Sequence, residues 1–577
     1  MIDTLINIKQ KKVIEVKAII ILLLFVTFSS FAQSRIERNT NDTIVGDVVV
    51  IKAYSPAVSD VNKIQFTPQV TDTVMPNISF KYYLRTSPAK THYNVIPIHA
   101  AKILPEPLTK LYDNCVKAGF GSYATPLAEY CYSSHRSKEY SLNVHLKHES
   151  STGKIKLNDD YPEKAHLGYS NNLADINSKI FFKRNKQMQL GIKYSRNVVH
   201  NYGFNTSLLP DTMPDKSEYR QRYWSANTHL RFLNTVNQKS KLSYNTGINY
   251  SFMENIQKSN QHTIEIDATL SQYHNKELLG GDLFVGAYAF NSVVDSLMTD
   301  PKILIEAKPW VKVKGRKWDV KAGLDIVNDH YNDSSFYHFY PNVMFNFNLV
   351  EDYFSPYIGV QGKAEVNHYY KLIQENPFVS PNIMLKNTNH IFIGMAGLKG
   401  KISQKLSFNF GLDYSIIDNA YFFVNDTSEQ YDNLFIAESD DVQLLTLHGQ
   451  VFWDKSKSLR FLLKGEYFNY TMSVLDKPWH KPDYTITFST YYNLRDKFIV
   501  RFDVFALGEQ YAKNFYGQEK YIKLKGMIDI NLGFEYRYNK RISAFVNFNN
   551  IISQKYQRWN QYPTQGFNAH GGLMFSF

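Results

Sequence analysis

The chain has 577 residues, 15% of them aromatic (41 Tyr and 39 Phe), and a formal net charge of +12. Its mean hydropathy is negative, which excludes a helical membrane protein built from long apolar segments. Lys and Arg recur singly in short polar segments, so the charge indicates solvated turns and no nucleic-acid partner. High aromatic content with modest hydropathy is typical of a β-barrel in which every second side chain meets lipid.

Residues 1–32 are predicted to be a cleaved signal peptide. Four lysines precede or flank the start of an apolar run at 18–28, and Ser30 and Ala32 supply the small residues of a cleavage site before Gln33. A helix needs about 20 apolar residues to span a bilayer, so this run is too short to do so. A mature chain that crosses a membrane would therefore use strands.

Residues 33–112 are predicted to be a Pro-rich, extended region. The region contains an acidic residue followed by four β-branched residues: Asp47, Val48, Val49, Val50 and Ile51. Prolines then recur at positions 56, 68, 76, 88, 97, 105 and 107. Proline lacks an amide donor and fits poorly in central strands or long helices. We therefore expect little regular structure here.

From residue 113 to 577 the sequence alternates between apolar and polar residues. The segment 405–415, KLSFNFGLDYS, puts Leu406, Phe408, Phe410, Leu412 and Tyr414 on one face of a strand. The same period recurs at 187–195, 527–537 and 541–549. These segments run to nine or more residues, which suits a tilted membrane-spanning strand better than the shorter strands of a soluble sandwich.

Ten short polar turns punctuate the alternation, and longer polar connections such as 199–219 and 469–482 lie between them. The turns fall near 136–138, 185–186, 238–240, 275–276, 315–317, 351–352, 403–404, 455–457, 495–497 and 539–540. Short periplasmic turns and longer extracellular loops are typical of outer-membrane barrels. With both chain ends on the short-turn side, the pattern predicts an all-β, antiparallel transmembrane barrel of about 22 strands, in a range of about 18 to 24.

The chain ends in a strand-like segment, GGLMFSF, at 571–577. Leu573, Phe575 and Phe577 share one face of it. A terminal Phe is the feature that barrel-assembly machinery is taken to recognise. We therefore interpret these three residues as a lipid-facing row and as a signal to that machinery.

The stretch 545–577 resembles the end of a TonB-dependent receptor barrel of the kind found in Bacteroidota. The resemblance rests on Asn549-Asn550-Ile551 before the last loop, the pair Tyr562-Pro563, the pair Gly566-Phe567 and a glycine-containing last strand ending in Phe. The segment 47–51 is similar to a TonB box or to the first strand of a plug. The resemblance implies an outer-membrane transporter for a nutrient such as a metal chelate, a glycan fragment or a peptide, with TonB as partner.

The region 33–112 departs from that family, whose members carry a folded plug inside the barrel. It is short for such a plug and lacks the leucine-rich and Arg-Gly segments of the plug's later part. The plug is therefore expected to be reduced or missing. A second hypothesis stays open, in which the chain is a non-transporting scaffold or assembly component that binds periplasmic or surface lipoproteins through 33–112 and the loops.

The two cysteines, Cys115 and Cys131, are predicted to face each other in the first hairpin, centred near Tyr123. This pairing also puts Val116 opposite Tyr130. An exported chain meets an oxidising compartment, so a cross-strand disulfide is one outcome. Two unpaired thiols are the other, because paired strands can strain the bond.

The sequence contains no constellation typical of catalysis. It has no H-E-x-x-H, paired Cys/His spacing, nucleophile elbow or phosphate loop. His145 and His148 lie three apart on a predicted strand and so face opposite sides. We expect no enzyme, no cofactor and no metal site. The segment 476–481, DKPWHK, is interpreted as an ordered loop, although exposed aromatic and charged residues would also suit an external contact site.

Overall fold

A computed structural model of the protein describes residues 111–577, apart from gaps at 135–136, 159–160, 184, 211, 235–241, 293–300, 351–352 and 384, together with Lys81 and Tyr83. The predicted signal peptide and the segment 47–51 lie outside the described residues. Within the described ranges, no helix has the length and apolar character that a membrane span requires.

The described chain folds into strands, with one short helix. In chain order the elements are β1 (Asn114–Gly121), β2 (Leu127–Ser133), β3 (Tyr140–Ser151), β4 (Lys154–Lys156), β5 (Lys164–His166), β6 (Tyr169–Phe182), β7 (Lys186–His200), β8 (Arg220–Asn234), β9 (Ser243–Asn255), β10 (Asn260–His274), β11 (Glu277–Asn291), β12 (Lys302–Lys314), β13 (Trp318–Tyr331), β14 (Ser334–Phe347), β15 (Ser355–Glu365), α1 (Tyr369–Glu375), β16 (Thr388–Ser403), β17 (Leu406–Asn425), β18 (Phe435–Ser456), β19 (Leu459–Met472), β20 (Tyr484–Leu494), β21 (Phe498–Leu507), β22 (Gln510–Lys513), β23 (Tyr521–Leu524), β24 (Met527–Arg537), β25 (Ile542–Asn549), β26 (Gln557–Trp559), β27 (Tyr562–Pro563) and β28 (Asn568–Ser576).

Twenty-two of these strands form a single closed antiparallel barrel, which confirms the predicted fold class and strand number. Each barrel strand pairs with the next one along the chain. The barrel closes where β1 pairs with β28, from Cys115 opposite Ser576 to Gly121 opposite His570. The hairpins β4–β5, β22–β23 and β26–β27 lie outside the barrel sheet, within its connections.

The two ends of the barrel differ in their connections. At one end, the chain-end rim, Asn114 N donates to Phe577 O at 3.1 Å. The predicted short turns that lie within the described residues, such as 275–276 and 315–317, join the strands at this end. Asn185 and Asn275 occupy left-handed backbone conformations in two of these turns, with φ of 57° and 55°, a conformation that asparagine tolerates well. The opposite end, the mouth, carries α1 and the three small hairpins.

The outer face of the barrel carries an apolar belt. On β17, Phe410, Leu412 and Tyr414 are 49%, 41% and 36% exposed, as the alternation predicts. Most other barrel strands contribute similar outward-facing residues: Val116, Leu146, Ile176, Ile192, Ile248, Ile264, Leu283, Ile305, Ile326, Ile358, Leu447, Leu463, Ile486, Ile528 and Phe534. The inner face is polar and carries ion pairs such as Arg231 with Asp267, 2.8 Å apart.

Candidate functional site

The connection 366–387, between β15 and β16, folds inward instead of standing clear of the mouth. Its helix, α1, begins after His368, whose side chain accepts a hydrogen bond from the backbone amide of Lys371. Tyr369, Leu372 and Ile373 give it one apolar, buried face. The helix ends before Pro377, which disfavours helical conformation in the residue preceding it.

One side of this connection rests on the inner wall formed by β8, β10 and β11. The Tyr370 amide donates to Gln261 Oε1 at 2.8 Å, and the Tyr370 hydroxyl donates to Ser225 Oγ at 3.1 Å. The His368 ring stacks on Tyr288, with ring centroids 4.8 Å apart. Burial lowers the pKa of His368 to about 3, so this imidazole is neutral and accepts from the Gln261 side-chain amide at 2.8 Å.

The other side of the connection reaches the opposite wall of the barrel. The Phe378 ring stacks on Tyr562 of β27 at 3.8 Å between centroids. Two backbone hydrogen bonds join it to β18, from Ser380 N to Phe435 O at 2.8 Å and from Phe435 N to Phe378 O at 3.0 Å. β8 and β18 are the sixth and the sixteenth of the 22 barrel strands. Because they lie nearly opposite each other, the described residues of 366–387 cross the mouth.

The crossing loop belongs to a packed layer that we call the cap. The cap comprises the ends of β17 and β18 at the mouth and the described residues of the connections 201–219, 366–387, 426–434, 473–483, 508–526 and 550–567. Its inner core is a cluster of ten buried residues, to which β8 and β9 of the barrel wall contribute the first two: Tyr223, Met253, Tyr369, Leu372, Ile373, Val379, Phe423, Phe435, Trp559 and Tyr562. Six of these ten are aromatic, so ring stacking and apolar burial hold the cap together.

The ends of β17 and β18 at the mouth are buried on both faces. Phe423 and Phe435, both fully buried, point into the inner core. On the other face, Phe422 and Val424 pack against Trp479 of the connection 473–483. A register shift between Ile417 and Ala420 marks where β17 passes from the barrel wall into the cap.

His480 joins four parts of the cap. Its Nδ1 donates to Phe423 O at 2.9 Å on β17, and its Nε2 accepts from Asn560 N at 3.1 Å beside β26. Its backbone bonds to Tyr511 and to the side chain of Gln510 in the β22–β23 hairpin. Burial lowers the pKa of His480 to about 4, and the neutral ring satisfies both partners.

Asp440, a buried residue of β18, holds the connection 473–483 in place. Its carboxylate accepts from the amides of Ser473 at 3.1 Å, Val474 at 2.9 Å and Leu475 at 2.9 Å. Three amides on one carboxylate form charge-assisted hydrogen bonds, which are stronger than neutral ones. The loop that carries Trp479 and His480 is therefore fixed at its start.

Charged groups line the rim of the cap. Glu375, at the end of α1, accepts from Lys481 Nζ at 2.7 Å and from the Tyr421 hydroxyl at 2.6 Å. Burial raises the pKa of the Glu375 carboxyl, but Lys481, Tyr421 and Lys371 outweigh burial and bring it below its usual range. Lys371 also pairs with Glu365 at 2.6 Å. Charges of both signs therefore lie on and beside α1.

The structure brings together some residues that the sequence singled out. Cys115 lies opposite Cys131, as predicted, and both are unbonded thiols. The proposed disulfide thus stays a prediction. Leu573, Phe575 and Phe577 lie on the outer face, 62%, 43% and 50% exposed, while their role in assembly also stays a prediction.

The segment 476–481 is an ordered loop, in keeping with the interpretation favoured from sequence, since Trp479 and His480 are 2% and 3% exposed. The pair Tyr562-Pro563 forms β27 at the centre of the cap. Sequence reasoning missed α1 and the crossing loop. The apolar spacing of Tyr369, Leu372 and Ile373 before Asn376-Pro377 was a signal for it, but it extends over only two turns.

Comparisons with known proteins show the same fold in iron-uptake receptors. The siderophore receptor PirA from Acinetobacter baumannii has a TM-score of 0.63 and 12% identity over 82% of this chain and 81% of its own. The ferric-catecholate import receptor Fiu from E. coli K12 has a TM-score of 0.61 and 10% identity over 81% and 82%. The FrpB iron transporter from Neisseria meningitidis has a TM-score of 0.61 and 11% identity over 82% and 83%.

No protein-family model and no curated protein matches the sequence. The likeness therefore lies in the three-dimensional structure, and at these identities it establishes the barrel fold.

Proposed function

We propose that the protein is an integral outer-membrane transporter or receptor that admits a nutrient through its barrel in the manner of TonB-dependent receptors. The observation that carries the proposal is the combination of a closed 22-strand barrel with a cap that crosses its mouth from wall to wall. A barrel of this size encloses a lumen wide enough for a solute, provided that the mouth can open.

The outer belt of apolar side chains supports a bacterial outer-membrane location. Exposed Ile, Leu, Val and Phe recur on strand after strand, and a continuous apolar surface of this extent is costly in water but favourable in lipid. Export through the predicted signal peptide 1–32 is part of the same proposal. The likeness to receptors described as importing ferric siderophores makes a metal chelate the first substrate class to test.

The cap is proposed to act as the gate for that substrate. Its crossing loop is held by aromatic packing and by side-chain hydrogen bonds to opposite walls. A solute that enters from the mouth must displace these contacts. Charges of both signs around Glu375 and Lys481 then offer polar contacts to a chelate.

TonB is the proposed energy-coupling partner, through the segment 47–51. The test replaces Asp47–Ile51 with a Gly-Ser segment of equal length in the full chain. TonB should co-purify with the wild-type protein from outer membranes and should be lost on replacement. Where growth on siderophore-bound iron requires the wild-type protein, the replacement should also abolish that growth.

The matched control replaces the adjoining residues 52–56 with a Gly-Ser segment of equal length. This variant should keep both TonB recovery and growth. The proposal fails if the protein forms a stable complex with other envelope proteins and this complex is unchanged by the replacement of 47–51. That result would favour the scaffold hypothesis. Fractionation with the outer membrane, together with heat-dependent migration on a detergent gel, checks the location and the folded barrel.

A further inference from the structure

Three lumen-facing residues lie side by side in one row across β1, β2 and β3. The sheet register puts Cys115 opposite Cys131, and Cys131 opposite His145. These residues alternate with Val116, Tyr130 and Leu146, which lie on the outer, apolar side. Neighbouring side chains in such a row have Cβ atoms about 4.5–5.5 Å apart, so the two sulfurs and the imidazole share one patch of the inner wall.

Glu129 adds a carboxylate to this patch from the next row along β2. Its Oε1 lies 2.8 Å from His145 Nε2. The ligand atoms of Glu129, Cys131 and His145 all lie within 4.8 Å of one another. All three residues are partly exposed, so an ion in the lumen can reach them.

The usual spacing of facing residues on paired strands suits a shared metal better than a disulfide. A disulfide needs Cβ atoms about 3.8 Å apart on average, closer than neighbouring residues on paired strands usually come. A metal with bonds of about 2.0–2.3 Å to sulfur, nitrogen and oxygen holds its ligand atoms roughly 3–4 Å apart. The ligand atoms of Glu129, Cys131 and His145 already lie within 4.8 Å of one another, so the movement needed to reach that spacing is on the scale of a side-chain rotation.

We propose that Cys131, His145 and Glu129, with Cys115 as the fourth ligand, bind one transition-metal ion of the Zn²⁺ class on the inner wall of the barrel. Thiolate, imidazole and carboxylate together are a donor set typical of Zn²⁺. Each cysteine that binds loses its thiol proton to solvent. The site is independent of which nutrient the barrel carries.

Two lysines flank the patch. Lys117 and Lys147 are the register partners of Glu129 on β1 and β3. Lys147 pairs with Glu149 at 2.8 Å, and Lys117 lies over the Phe545 ring at 4.5 Å. Both ammonium groups therefore have other partners, and two thiolates and a carboxylate supply the negative charge that a divalent cation needs.

The site would tie together the three strands next to the barrel's closing seam. β1 pairs with β28 on one side and with β2 on the other, and a metal held by β1, β2 and β3 would link all three. Metal bound only by the folded state stabilises that state by mass action. The expected role is therefore to reinforce the strands at which the barrel closes.

The test uses the full-length protein in detergent, reduced, stripped of metal and titrated with Co²⁺. One Co²⁺ per chain should bind, with the ultraviolet charge-transfer band of a cobalt–thiolate bond and the strong visible bands of tetrahedral cobalt. Zn²⁺ should abolish both signals. Cys131→Ser should remove the thiolate band, Cys115→Ser should reduce it by about half, and His145→Gln should weaken binding by at least about 10–100-fold.

His148→Gln is the matched control, because His148 lies on the same strand and its side chain bonds to Asn172, away from the thiols. It should bind Co²⁺ as the wild type does. Heat-dependent gel migration confirms that each variant folds. The proposal is overturned if the reduced wild type gives no thiolate band, if the band survives Cys131→Ser, or if protein quenched with acid directly from cells carries a Cys115–Cys131 disulfide.

Discussion

The two ends of β17 show how differently the barrel wall and the cap are built. In the wall, Phe410, Leu412 and Tyr414 face outward and alternate with polar neighbours. In the cap, the consecutive residues Phe422, Phe423 and Val424 are all buried. One face of β17 is apolar and the other polar in the wall, whereas both faces are buried in the cap. The change occurs at the register shift near Ala420.

The difference follows from what covers each face. Wall strands gain stability from hydrogen bonds to neighbours in the ring, and their outer side chains meet the surroundings of the barrel. The end of β17 is covered on one side by the crossing loop and on the other by the connection 473–483. The cap therefore resembles the core of a small soluble domain, and its stability depends on side-chain packing and on the buried His480.

The largest effect is expected when a buried side chain of the cap is truncated, because the cap should lose stability and the wall should not. Phe435→Ala removes a fully buried ring that contacts His480, Trp559 and Tyr562. Cavity formation should cost the cap about 3–5 kcal/mol. Hydrogen–deuterium exchange should rise in 366–387 and 550–567 and stay unchanged in β1–β3. The control is Leu412→Ala on the outer wall, which should leave exchange in the cap unaltered; equal exchange in both variants would contradict a separate cap core.

Removing the carboxylate of Asp440 should release the connection 473–483. Asp440→Ala leaves the amides of Ser473, Val474 and Leu475 without their acceptor, at an expected cost of about 3 kcal/mol. Exchange of those amides reports the loss. Asp476→Ala is the matched control from the same loop, because its ion pair with Lys520 is well exposed and should contribute less than about 1 kcal/mol. Similar exchange in the two variants would refute the anchoring role.

Acidification should loosen the cap through His480. Its pKa in the folded state, about 4, lies below the ordinary 6.5, so the unfolded loop binds more protons between these values. The contribution of neutral His480 to the stability of the cap is complete above pH 6.5 and is lost as the pH falls towards 4. Between pH 8 and pH 5 the free energy of unfolding should fall by about 2 kcal/mol.

Hydrogen–deuterium exchange of the cap amides, corrected for the intrinsic pH dependence of exchange, measures this loss of stability. His480→Asn keeps a residue that tolerates the left-handed backbone at this position, where φ is 57°, and it removes the imidazole. The variant should show a smaller pH dependence across that range. An unchanged pH dependence would assign the effect to other groups, His368 first among them.

The smallest expected effect concerns the rim of the cap. Lys481→Met removes the half-buried ion pair with Glu375, which joins α1 to the connection 473–483. We expect a loss of about 1 kcal/mol, because both side chains keep contact with solvent. A double-mutant cycle with Glu375→Gln measures the coupling. A coupling energy near zero would show that aromatic packing alone joins these two segments.

The wall was predictable from sequence and the cap was not. Alternation at 405–415 and the ten polar turns are local signals, and the structure confirms the closed barrel and its strand number. The register of Cys115 with Cys131 also followed from a short hairpin. The contact of Phe378 with Tyr562 joins residues far apart in the chain, and no local pattern indicates it. The grouping of Glu129, Cys131 and His145 was missed because adjacent strands supply it, whereas metal motifs are sought at fixed spacings along one segment.

The sequence by itself determined the barrel wall, since side chains of a strand alternate between faces and each strand pairs with its neighbour along the chain. Only the tertiary structure decided that residues 366–387 cross the mouth, that His480 joins β17 to the last two hairpins, and that a thiol, an imidazole and a carboxylate meet on the inner wall. These arrangements depend on curvature and closure of the barrel, which bring distant segments together over one opening. A period of two residues carries no information about such contacts.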